Sequence, residues 1–441
     1  VTEIGERAFE YCAGLESVTI NGNGKTEIGE QAFDNCAGLE SVTISGNGET
    51  EIGDYAFSAC DVLANVKLDG VRMVGTGAFA GCRALTSATL GADLTYVGTY
   101  AFQNCTGLTE MALPDGVTYI GEYAFAYSGL TSIEIPDSAT EIGRCAFEHC
   151  SALKSADIGG NGLYIGLRAF AYCSALESVA FGNGVTSIGD SAFSHCTALT
   201  GVEIPDGVTR IGDNAFDGCT GLTSVKIGNG TSYIGRGAFY LCTALTTVGL
   251  GTNVSEIADN AFWSCGLTSI EIPDSLKMIN SSAFARCTAL TSVTGGKNLT
   301  TVGAHAFYGC ARLASVEFAD GLQRIENNAF EDCSALTSVM LPEGVTYIGE
   351  KAFCNSGLTS VQIPGSAEMG TAVFSGCSAL ASATIGNGMI KIPERTFENC
   401  TALTSVVIAV SVREIGQGAF DGCGSLTIYY VGMAAEWRTV S

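Results

Sequence analysis

Residues 199–219 read Leu199-Thr200-Gly201-Val202-Glu203-Ile204-Pro205-Asp206-Gly207-Val208-Thr209-Arg210-Ile211-Gly212-Asp213-Asn214-Ala215-Phe216-Asp217-Gly218-Cys219. Leu199, Val202 and Ile204 mark a short β-rich segment that runs into a Pro-Asp-Gly turn signal, which predicts a strand. The half from Ile211 to Cys219 is too short for an independent helix and predicts a tight turn or a piece of 3₁₀ helix. One such unit cannot bury its own apolar face. It must stack on others.

The same unit recurs along the whole chain. Its Phe anchor appears 19 times from Phe9 to Phe420, at spacings of 21 to 24 residues. A Leu follows every anchor five or six residues later, and the position four before it is Gly in 15 copies. Parallel stacking of these units turns Leu, Val, Ile, Phe and Cys into internal ladders, with stability a nearest-neighbour sum. The chain has 441 residues, with 45 acidic against 21 basic and a formal net charge of −24. That balance argues against nucleic acid and anionic membrane surfaces, which need clustered Lys and Arg. No stretch reaches the ~18 apolar residues of a membrane helix, so direct membrane insertion is not expected of this segment.

The pattern of residues 199–219 resembles the BspA-type (Treponema pallidum-type) leucine-rich repeat. The resemblance covers nearly all of the chain, and the stretch from Ile428-Tyr429-Tyr430 to Glu436-Trp437 is similar to the ending of such bacterial arrays. It implies a leucine-rich repeat solenoid of about 19 units, with a parallel β-sheet on one face and short turns or 3₁₀ segments on the other. The expected boundaries are 1–425 for the array and 426–441 for a C-terminal tail or cap strand. The family is one of surface or secreted proteins acting in adhesion, without common catalytic residues. The resemblance therefore implies a non-enzymatic, extracellular or cell-surface role, with no cofactor. Val1 enters in mid-unit, which suggests a piece of a longer protein.

The cysteines, histidines and carboxylates have plain readings beside their chemical ones. Seventeen of the 19 cysteines hold one repeat position, three after the Phe, with Ser128 and Ser356 replacing the others. No Cys-x-x-Cys pair occurs, and a disulfide ladder would leave each thiol with two equivalent neighbours. A column of buried thiols acting as small hydrophobes is expected. Cys145 and Cys354 fall at variable, mostly polar positions and are expected to be more exposed. His149 and His195 share a position two units apart, roughly 10 Å along the stack, too far for joint ligation of one metal ion. These two and His305 read as surface decoration, and no metal is expected. Gly22-Asn23-Gly24 and Asp115, Asp137, Asp206, Asp274 and Glu343 fall in solenoid turns, short of the six to eight oxygens that calcium takes.

The aromatic residues are more selective. Tyr96 and Tyr119 share one repeat position in adjacent units, and Tyr100 and Tyr123 share another. Tyr127 follows in the same unit, with Tyr164 and Tyr172 two units on, while Tyr240 and Trp263 share the position after the Phe. Tyr supplies contact area at low entropic cost together with a polar tip, which suits protein interfaces and sugar stacking alike. Tyr96, Tyr100, Tyr119, Tyr123, Tyr127, Tyr240 and Trp263 are therefore the candidate binding residues. The partner expected is a protein, a host matrix or cell-surface component. Glycan binding through the tyrosines is one alternative, and a spacer or self-assembling array displaying another domain is a second.

Overall fold

A computed structural model describes residues 2–22, 24–437 and 440; Val1, with its mid-unit entry, and Asn23 of the Gly22-Asn23-Gly24 turn lie outside the described residues. The chain divides into two compact units, Val1–Leu222 and Thr223–Ser441. Each is a stack of parallel turns that follows the sequence repeat.

The Leu-x-Ser-Val-x-Ile segment forms the expected strand. In the first unit Ser132–Ile135, Ser155–Ile158 and Ser178–Phe181 lie side by side and parallel. Equivalent residues face each other, Ser155 opposite Ser132 and Ile158 opposite Ile135. The second unit repeats this with Ser360–Ile363, Ser382–Ile385 and Ser405–Ile408. Side chains alternate, Val and Ile inward and Ser with its variable neighbour outward, as a half-buried strand requires. Beyond Ser405–Ile408 the strand Thr427–Tyr430 pairs in the same register. A single helical turn, Ala434–Trp437, follows, and the Trp437 ring lies 5.2 Å from that of Tyr430.

The other half of each repeat adds a feature to the expectation. Its Val-Thr-x-Ile segment contributes a second, two-residue strand, and these form their own parallel ladder. Tyr96–Val97, Tyr119–Ile120 and Glu141–Ile142 stack in the first unit, and Arg324–Ile325, Tyr347–Ile348 and Glu368–Met369 in the second. The second residue of each pair, Ile in most and Val97 or Met369 in the others, is buried and the preceding residue points outward. Gly143, directly after this strand, sits so close to the turn below that a Cβ there would meet Gly121 and Glu122 backbone at 2.7–2.8 Å.

The Ala-Phe segment is a run of hydrogen-bonded turns. In the first repeat Ala8, Glu10 and Cys12 donate their N–H groups to Gly5, Arg7 and Phe9 within the same turn. Arg7, Phe9 and Tyr11 donate instead to Glu30, Ala32 and Asp34 of the next turn. This alternation requires peptide planes that flip every other residue, and the flips come from two left-handed residues per repeat, two before and two after the Phe. Among the described residues every non-Gly residue of positive φ, from Arg7 (φ 54) to Asn399 (φ 59), holds one of these two positions. Glycine fills others, such as Gly77 and Gly81.

Side chains extend the same principle. The column cysteines donate Sγ–H to the Phe carbonyl of the turn before, from Cys36 to Phe9 at 3.1 Å and from Cys310 to Phe284 at 3.2 Å. Thr118 and Thr140 donate hydroxyls to the carbonyls of Thr95 and Thr118 at 3.2 and 3.1 Å. Thr268 and Thr291, one residue after the Leu, do the same toward Thr246 and Thr268. The Thr and Ser array is thus bonded to its own backbone. Inside, the Phe rings form a stack, with centroids 4.9–5.4 Å apart in the first unit and 5.1–5.6 Å in the second.

Phe147 is fully buried between Phe125 and Phe170. Phe147→Ala should lose about 3–5 kcal/mol and split the unfolding transition, measured by denaturant melts at several probes. Lys351, left-handed at φ 52, tests the backbone argument. Lys351→Val should destabilise by about 1–2 kcal/mol while Lys351→Gly holds or raises the melting temperature.

Candidate recognition surface

The candidate tyrosines fall into three columns of the first unit. Tyr96 and Tyr119 stand opposite each other on the outward face of the short-strand ladder, with rings stacked at 4.9 Å. Met73 and Glu141 are their neighbours along that ladder. Tyr100 and Tyr123 occupy the left-handed position before the Phe, stacked at 5.2 Å. Tyr127 occupies the left-handed position after the Phe and is 44% exposed.

Tyr127 opens a longer ladder. His149 stacks on it at 4.7 Å, Tyr172 on His149 at 4.7 Å, and His195 meets Tyr172 edge-on at 4.8 Å. The ladder ends where Gly218 leaves no side chain beside the His195 ring. Reading the two histidines as isolated decoration missed this, although both share the repeat position of Tyr127 and Tyr172. Arg168 lies 5.6 Å over Tyr172 and bonds the buried Glu148 carboxylate at 2.7 Å. Tyr164 stands apart, exposed on the short-strand ladder between Glu141 and Ser187.

Where two rings stack in a column, each gives one face to the other. Sugar stacking uses a ring face, whereas protein interfaces also use edges and polar tips. The faces buried in these stacks are closed to a sugar.

In the second unit Tyr240 and Trp263 stack at 4.7 Å. The Arg286 guanidinium lies 5.7 Å from the Trp263 ring and 6.0 Å from the Tyr308 ring, and His305 meets Tyr308 edge-on at 5.8 Å. Arg286, Tyr308 and His305 were not singled out with Trp263 in the sequence. The signal available was an arginine and an aromatic residue at neighbouring turn positions one and two repeats on.

The carboxylates gather elsewhere. Asp115, Glu134, Asp137 and Asp157 line a groove beside the long strands of the first unit. Among the described residues no three of His, Cys, Asp and Glu come together as a metal site would require.

Cys145 and Cys354 correct the sequence expectation of greater exposure: both are buried, at 1% and 8%. Cys145 shares a repeat column with Tyr123 and Arg168, and its thiol is hydrogen-bonded to Tyr123 with Glu148 and Arg144 beside it. That bond, ahead of burial, raises the Tyr123 pKa. Cys354 follows Phe353 directly, and burial pushes its thiol up to about 12.

A search of curated proteins found no significant match. The pattern of the BspA type leucine rich repeat region, however, matches in six overlapping copies that span residues 1–433. The chain belongs to the BspA-type leucine-rich repeat family. A solved leucine-rich repeat protein from Bacteroides ovatus is similar at 23% identity, 87% coverage of both chains and a TM-score of 0.51. A leucine rich cell surface protein from Faecalibacterium prausnitzii is 29% identical over 76% of this chain and 88% of its own, with a TM-score of 0.37. The T. pallidum leucine rich repeat protein is 27% identical over 39% of this chain and 81% of its own, with a TM-score of 0.34. The likeness to the Bacteroides ovatus protein agrees with the solenoid fold built above. No helix among the described residues is long and apolar enough to cross a membrane.

The thiol column of this BspA-type array has a measurable consequence. Burial pushes Cys105, Cys219, Cys287 and Cys333 up to about 12 and Cys150 to about 11. A thiol ionises near 9 when unfolded, so the unfolded state loses protons first as pH rises. The contribution of these groups is complete below pH 9 and is lost as pH climbs toward 12. Melting temperature should therefore fall steeply above pH 9. At pH 8 a thiol reagent read by mass spectrometry should label the folded chain only at the half-buried Cys12 and Cys423.

Proposed function

We propose that this chain is a non-enzymatic recognition protein, secreted or displayed on a cell surface, that binds another protein through the outer faces of its turns. Membership of the BspA-type family supports a protein-binding or surface role. The observation that carries the reading further is the set of ring columns in the first unit. In these columns Tyr96, Tyr100, Tyr119, Tyr123 and Tyr127 stand on consecutive turns, each stacked on one ring and at least partly exposed. Such rings offer contact area already ordered by their neighbours, so a partner meets little rotamer entropy on docking. The acidic charge favours partners without dense negative charge of their own.

The test is binding of the purified chain to immobilised extracellular-matrix proteins and to intact cells, beside a Tyr96/Tyr100/Tyr119/Tyr123→Ser variant. The expected outcome is saturable binding that drops by about tenfold or more in the variant. Equal binding by both would move the site off these columns. Binding by neither would remove the adhesive reading.

A further inference from the structure

We propose that the turn surface around Trp263 and Arg286 receives a carboxylate-bearing segment of a partner protein, with the Arg286 guanidinium as the receiving group. Arg168, Arg324 and Arg286 each have a guanidinium within about 6 Å of an aromatic ring centroid. Arg168 lies over Tyr172 and bonds Glu148 at 2.7 Å. Arg324 lies 4.2 Å over Tyr347 and bonds Glu326 through Nε at 2.8 Å. In both, ring and carboxylate hold the cation together. Arg286 has two rings, Trp263 and Tyr308, and no carboxylate: its guanidinium makes no ion pair or side-chain hydrogen bond with any described residue.

The sequence around it keeps carboxylates away. The turns at 260–265, 281–287 and 304–310 contain no Asp or Glu, in a chain that has 45. Arg286 is exposed, and its left-handed backbone (φ 58) sets the direction in which its side chain leaves the turn. The two rings attract the cation from the outer range of cation–π contact and take none of its N–H groups, which leaves them for a planar, bidentate acceptor. A carboxylate fits that edge, and a charge-assisted pair formed there is stronger than a neutral hydrogen bond.

The surroundings narrow the occupant to protein. The stacked Tyr240–Trp263 pair lies beside the cation and offers apolar contact to the side chains that flank a carboxylate in a peptide. Sulfated glycans and nucleic acids need several cations for their serial charges, whereas this site has one arginine in a chain of net charge −24. That the occupant is a protein segment rests on the recognition reading above; the carboxylate preference rests on Arg286 and its rings alone.

A random dodecapeptide phage library panned on the purified chain tests this. Enriched peptides are then titrated by tryptophan fluorescence in a Trp437→Phe background, where Trp263 is the remaining indole. The comparison variants are Arg286→Gln and Arg312→Gln, the latter an exposed arginine without a ring contact that matches the charge change. Enriched peptides are expected to carry Asp or Glu and to bind Arg286→Gln about tenfold or more weakly. They should bind Arg312→Gln within about twofold of the parent chain.

Peptides without acidic preference, no enrichment, or equal loss in both variants would overturn the proposal. So would displacement of the peptides by a heparin oligosaccharide that itself binds through Arg286. Failure of the tyrosine-dependent cell binding would not alter these readouts, because those tyrosines lie in the first unit.

Discussion

Everything in each unit follows from one backbone constraint: the two left-handed residues that flank each Phe, four positions apart. They flip successive peptide planes, so that alternate N–H groups bond within a turn and between turns. An α-helical turn would direct all of them along its own axis. Left-handed backbone costs about 1–2 kcal/mol for a residue with a Cβ. The inter-turn hydrogen bonds and the buried Phe stack offset that cost at every step. The composition of these positions agrees with the physics, since Asn is frequent, Gly fills others, and Val, Ile and Thr are absent from the left-handed set.

The same constraint explains the histidines. All three in the chain, His149, His195 and His305, sit at left-handed positions. That backbone region is enriched in His, Asn and Asp, so conformation accounts for them where ligation does not. Once there, a ring finds another ring one turn away, because equivalent residues repeat at the pitch of the stack. The Tyr127–His149–Tyr172–His195 ladder follows from that geometry.

Recognition in such a molecule lies in what the repeat leaves unspecified. Hydroxyls of the Thr columns and thiols of the Cys column are taken by carbonyls of the turn before. Stacked ring faces are taken by rings. Chemistry is left at the partly exposed tyrosines, in the acidic groove and at Arg286, a guanidinium beside two rings and without a carboxylate. The two units thus carry different surfaces on one framework, tyrosines with carboxylates in the first and an arginine beside aromatics in the second.

The period of Phe, Leu and Cys was legible in the sequence, because a ladder needs the same apolar residue at every turn and tolerates few exceptions. From it came the solenoid, the parallel strand, the Phe stack and the buried thiols. The tyrosine pairs were legible too, since equal repeat positions must become neighbours. The second strand ladder was not, because two residues of Val-Thr-x-Ile carry too little pattern to separate a strand from a turn. Nor was the burial of Cys145, whose thiol meets Tyr123 of the turn before. Sequence determined which residues share a column. Only the tertiary structure decided which way their side chains lean, which faces they cover and which charge is left without a partner, because those outcomes depend on packing between turns about 23 residues apart.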